Sequence, residues 1–234
     1  MKINQWVHIM EVGGDPWVLP IYSAINDAFK RGKIKKFPQD FGQLGLSIST
    51  RSNMFPRIIK RINEKYRKLC KEIANIDHKY ISTPTKVGYA FKVDDTLKYK
   101  LLIDIDSFLF EFNSCCELMA KFLQQIYLHT GESLQKKDVG KRIQEMIEES
   151  GESYEWFAIL DIHRNLFLHS RAPYVAVALF PNKKYDLLIM KENLHQFDDE
   201  EKFIRLSQLN SILKGFLKGR SIIQQNLIGY LKNL

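Results

Sequence analysis

The chain has 234 residues, 45% of them apolar and 15 of them phenylalanine, enough to bury a substantial core as one domain, or as one domain with an extension. That composition, with 26% charged residues, excludes a disordered protein, and three cysteines (Cys70, Cys115, Cys116) with no C-x-x-C exclude a disulfide framework or a zinc site built from paired cysteines. The formal charge of +8 favours a polyanionic partner.

The opening "MKINQWVHIMEVGGDPW" has no continuous apolar h-region, and no apolar run approaches the roughly 20 residues of a membrane helix. A reduced, cytoplasmic chain without membrane contact is therefore expected. A short helix is expected from about Trp17 to Arg31. The glycines, proline and serines of "GKIKKFPQDFGQLGLSISTRSN" then predict irregular structure. From Phe55 the pattern turns helical: Phe55, Ile58, Ile59, Ile62, Tyr66, Leu69 and Ile73 recur at helical spacing. The rest of that helix surface carries Arg57, Lys60, Arg61, Lys68 and Lys71. "STPTKVGY" breaks the run.

A long helix is expected from about Asp94 to His129, stopped by Gly131, and a short charged one from Lys136 to Glu149. A further amphipathic helix, "SYEWFAILDIHRNLFLHSR", is capped by serine and ended by Pro173. "YVAVALF" and "YDLLIM", joined by "PNKK", read as a β-hairpin, and a final helix is expected from about Asp199 to Leu231. The fold class is mainly α, with long helices and one hairpin inserted before the last of them.

Most short motifs fail on their chemistry. "EVGGDP" lacks the lysine and the strand-to-helix setting of a phosphate loop, and "DVGKRI" lacks the upstream glycine. No two histidines stand four apart around a glutamate, and no nucleophile elbow is present. Neither a metal nor a cofactor is expected. What remains is R-N-x-x-x-H, with Arg164, Asn165 and His169 late in an amphipathic helix beside side chains that should be buried. The plain alternative is a polar cluster that packs a helix end and satisfies its last carbonyls.

"RNLFLH" resembles the R-x(4–6)-H signature of the HEPN superfamily, whose polar residue after the arginine matches Asn165. The resemblance spans residues 90–234. It implies a HEPN-like up-down helical bundle over residues 81–234, from which the inserted hairpin at 174–190 is a departure. Residues 1–80, an N-terminal helical extension with the basic amphipathic helix, have no counterpart in the minimal family domain and either stand apart or pack with it as one unit. The resemblance implies a homodimeric endoribonuclease that needs no metal, with a toxin or antiviral-defence role and a protein antitoxin or regulator as a possible partner. A HEPN-like scaffold that has lost catalysis and binds nucleotide, RNA or protein is the competing class.

The chemistry suits these residues. Metal-free RNA cleavage needs a base for the 2′-hydroxyl, an acid for the departing 5′-oxygen and positive charge on the phosphorane. Histidine titrates near neutrality, and the arginine fork holds two phosphate oxygens. His169 is thus expected as base or acid, Arg164 as the phosphate ligand and Asn165 as the orienting group. Asn165 and His169 stack on one helix face, but Arg164 is about 140° round from His169. A site shared by two copies across a two-fold axis relieves that conflict. His163, about 120° from His169, is expected to face solvent or an interface.

On the long helix, Asp104, Ser107 and Glu111 share one face, and Asp106, Asn113 and Glu117 another. Both read most simply as solvated stripes; Asp104 or Glu111 pairing with Arg164 is the functional reading. Arg57, Lys60, Arg61, Lys68 and Lys71, with "KRGKIKK" at 30–36, are candidates to track an RNA backbone. Phe37, Phe41 and Tyr66 could stack on bases, but core positions are expected for most of them.

Overall fold

The computed structural model describes residues 16–75, 83–85, 88–90, 94–160, 174–179, 185–190 and 199–234. The elements are α1 (Val18–Lys30), α2 (Phe41–Ala74), β1 (Thr83–Thr85), β2 (Gly88–Ala90), α3 (Asp95–Thr130) and α4 (Lys136–Glu149). Helix α5 is described over 155–160. It is followed by β3 (Tyr174–Leu179), β4 (Tyr185–Met190), β5 (Phe203–Arg205) and α6 (Leu206–Asn233). The fold is mainly α with a small antiparallel sheet, as the periodicities predict.

Two boundaries differ from expectation. Helix α2 begins at Phe41, inside the stretch expected to be irregular, and carries Pro56 within it. The apolar period that starts plainly at Phe55 already runs through Phe41 and Ile48, both buried. Gly45, which signalled a loop, is a contact glycine instead: a Cβ there would lie 2.9 Å from Tyr22 Cζ and 3.1 Å from Val18 Cγ1 of α1. The last helix begins at Leu206, not Asp199. The Asp199 carboxylate accepts the Glu201 amide at 3.1 Å and caps a 3-10 turn over Glu200–Lys202. Phe203–Arg205 then pairs with β4, because buried Phe203 and Ile204 complete a sheet.

Helix α3 starts on Asp94, whose carboxylate accepts the Leu97 amide at 2.8 Å, and stops at Gly131, whose φ of 94° suits glycine. The expected hairpin forms in antiparallel register, Tyr174 facing Met190 and Leu179 facing Tyr185, with β4 central in the order β3-β4-β5. Leu187 to Met190 are buried without alternation, as suits a middle strand covered on both faces. The "STPTKVGY" break contains a further short antiparallel pair, β1 with β2.

The chain divides into two compact units, and residues on both sides of position 80 contribute to each. One unit gathers residues 1–54, 112–154 and 215–234. Its core includes Trp17, Ile21, Phe41, Phe122 and Leu227; Phe41 stacks on Phe122 at 4.8 Å, and the Trp17 indole donates to the Arg220 carbonyl at 2.7 Å. Arg31 donates to the carbonyls of Leu231 (2.8 Å) and Lys232 (3.1 Å) in the last turn of α6. Cys115 is buried between Ile48 and Ser52, and burial pushes its thiol up to about 11, against the pull of Ser52, Arg220 and Arg51. It packs as a small apolar residue.

The other unit holds residues 55–111 and 155–214. Its core includes Phe55, Ile58, Ile62, Ile105, Phe108, Leu209 and Ile212, with Leu188, Met190 and Phe203 clustered on the sheet. The Tyr66 hydroxyl donates to the Tyr185 carbonyl at 2.5 Å, and Ser207 donates to Asp186 at 2.9 Å, so α2 and α6 both anchor the start of β4.

Candidate nucleic-acid interface

The residues expected to carry catalysis, Arg164, Asn165 and His169, lie outside the described residues, as does His163. The expected pairing of Asp104 or Glu111 with Arg164 lies outside them too. The helix that leads to the motif is described as far as Leu160, and its Trp156 and Leu160 are buried, as its amphipathic pattern predicts.

The cationic face of α2 is described in full. Arg57, Lys60, Arg61, Lys68 and Lys71 are all exposed, and so is Arg67, which the sequence-derived set does not include. At about 100° per residue, Arg57, Arg61 and Lys68 form one row, while Lys60, Arg67 and Lys71 form a second about 80° away. Both rows lie opposite the buried line of Phe55, Ile59, Ile62 and Leu69. From Arg57 to Glu72, seven cations stand against two glutamates, Glu64 and Glu72. The stripe extends about 21 Å along the axis at roughly 1.5 Å per residue. A surface helix is usually charged with both signs; here the net sign is strongly positive.

Asp104 of α3 sits on one flank of this stripe and is 5% exposed, so it is no part of a solvated face. Its Oδ1 accepts from Arg61 Nε at 3.1 Å and pairs with Nη2 at 2.9 Å, while its Oδ2 is held by Lys65 Nζ. A buried carboxylate is costly unless paired and hydrogen-bonded, and both conditions are met here. Lys65 is 17% exposed in its side chain and Arg61 51%. Arg61 is therefore fixed along one edge and open to solvent beyond it. Lys65 was legible as a lysine on the basic helix, but its role depends on where α3 brings Asp104.

Of the other acidic candidates, Glu111 is half-buried, and Asp106 and Glu117 are exposed, with Asn113 donating to Glu117 at 3.4 Å. The basic run at 30–36 is exposed except for Ile34, but Arg31 is engaged at the end of α6. Phe37 packs between Phe41 (4.2 Å) and His129 (4.3 Å), and Tyr66 holds β4, so these rings serve packing. Among the described residues no His, Cys, Asp or Glu cluster has a metal-binding arrangement, and no helix is long and apolar enough to cross a membrane.

Comparison with protein-family models, with curated proteins and with solved structures gives no match.

Proposed function

We propose that the protein is a metal-independent endoribonuclease of HEPN type that acts as a homodimer. The observation that carries this reading is the R-N-x-x-x-H sequence at 164–169. The exposed cations of α2 support it, since a polyanionic substrate needs a positive surface to find and hold it.

In this reading a base takes the proton of the 2′-hydroxyl, and the oxygen attacks the adjacent phosphorus. The bond to the 5′-oxygen breaks, and that oxygen leaves with a proton from an acid. The products are a 2′,3′-cyclic phosphate and a 5′-hydroxyl. His169 serves as base or acid, Arg164 binds and stabilises the phosphorane, and Asn165 orients the imidazole or the phosphate.

The homodimer has support on α3. Tyr99, Ile103 and Phe110 are 58%, 62% and 53% exposed and lie within about 40° of one another round the helix. Covering this line with a second copy would remove its apolar surface from water, which favours the dimer. A second copy is the partner that the spacing of Arg164 and His169 calls for if the motif is helical, since the two then fall about 140° apart.

The test is cleavage of labelled total RNA in EDTA by the wild type, Arg164→Ala and His169→Ala, purified identically. The expected result is cleavage by the wild type alone, with each variant slower by roughly 10²- to 10⁴-fold. Variants that cleave as fast as the wild type overturn the reading. No cleavage by any of the three leaves a silent HEPN-like scaffold or an enzyme that awaits its trigger.

A further inference from the structure

We propose that Asp104 is a positioning residue for a phosphate clamp on α2, which binds the backbone of single-stranded RNA through Arg61, with Arg57 and Lys68 extending the row. The inference rests on the reading of the protein as acting on RNA, but concerns binding and not cleavage.

Asp104 occupies a position where a carboxylate is costly. Its neighbours along α3, Leu101, Ile105 and Phe108, are at most 2% exposed, and an apolar side chain would fit such a flank without any desolvation penalty. A cation that only needs solvating does not need a buried carboxylate behind it. The structural product of Asp104 is a guanidinium with its Nε–Nη2 edge tied down. The opposite edge, Nη1 with the outer hydrogen of Nη2, is the one Asp104 does not use. That edge is a planar two-donor fork, the geometry that takes two oxygens of one phosphate. Holding it still removes much of the side-chain entropy that binding would otherwise lose. Lys65 on the second carboxylate oxygen keeps Asp104 from turning away.

The neighbours fit a row of phosphates. Arg57 stands one turn before Arg61 on the same line, and Lys68 two turns after it. Such contacts fix the register of a strand without reading its bases.

Asp104→Asn decides between this and a diffuse positive surface, because the two predict opposite signs. The substitution removes a negative charge beneath the stripe. A surface acting through net charge alone then binds RNA more tightly. A clamp that has lost its anchor binds more weakly.

The measurement is fluorescence anisotropy with a fluorescein-labelled single-stranded RNA oligonucleotide. It uses full-length His169→Ala protein in EDTA, so that cleavage does not intervene. Asp104→Asn is expected to weaken binding by roughly five- to tenfold, and Arg61→Lys, which keeps the charge but not the fork, by a similar factor. Arg61→Ala is expected to lower the slope of log K against log salt by about 0.7, one phosphate contact on a single strand. Circular dichroism checks that each variant is folded. If Asp104→Asn does not fold, Arg61→Lys decides alone.

Unchanged or tighter binding by folded Asp104→Asn, or unchanged binding by Arg61→Lys, overturns the proposal. So does a parent protein that binds phosphatidylserine vesicles but not the RNA. Because the readout is binding, absence of cleavage by the wild type bears on the nuclease reading without touching this one.

Discussion

Single residues show why local signals mislead. Gly45 is a poor helix former and invites a loop reading, yet α2 runs through it because Tyr22 and Val18 of α1 come too close for any side chain. Tyr22 is held there by its hydroxyl, 3.2 Å from the carbonyls of Phe41 and Gly42, and burial pushes its pKa up to about 12. Gly45→Ala therefore sets two effects against each other. Helix propensity favours alanine by about 1 kcal/mol, whereas overpacking a tight contact costs about 1–3 kcal/mol. A net loss of stability is expected, read as a lower urea midpoint with an unchanged m-value. A gain near 1 kcal/mol, roughly the propensity difference alone, would mean that α1 gives way easily. Asp104 teaches the converse lesson. It looks like one more charge on a solvated stripe until α3 places it beside Arg61 and Lys65.

Among the helices and strands, the apolar period is the dependable signal, whereas glycine as a breaker holds at Gly131 and fails at Gly45. The period carries α3 from Asp95 to Thr130 and α4 from Lys136 to Glu149 almost as expected. It says nothing of β5, which has only three residues and is defined by pairing: Ile204 faces Ile189, and Phe203 faces Met190. Such a strand exists because the sheet offers its edge, and the side chain that anchors it is Phe203, 1% exposed against Leu188 and Met190. Phe203→Ala is expected to cost about 3–5 kcal/mol, measured by equilibrium unfolding in urea. A cost below about 1 kcal/mol, less than that of most deletions from a core, would show that the sheet does not depend on β5.

For the molecule as a whole, the exposed apolar line of α3 leads to a prediction about assembly. If a second copy covers Tyr99, Ile103 and Phe110, the wild type sediments as a dimer, and Ile103→Glu with Phe110→Glu sediments as a folded monomer. A monomeric wild type, or a double variant that stays dimeric, removes this face as the interface. The residue order alone is enough to establish that the chain is mainly helical, that a hairpin interrupts the helices and that α2 bears a cationic face. Those features repeat along the chain with a period that each helix or strand imposes locally. The R-N-x-x-x-H spacing, on which the catalytic proposal stands, is equally plain in the residue order. Three features, by contrast, came only with the folded chain: Gly45 is a helix contact, residues 203–205 join a sheet, and Asp104 is buried beneath Arg61. The physical reason is the same in all three. Gly45 depends on Tyr22, Phe203 on Met190 and Asp104 on Arg61, partners too far along the chain for any local periodicity to carry the information.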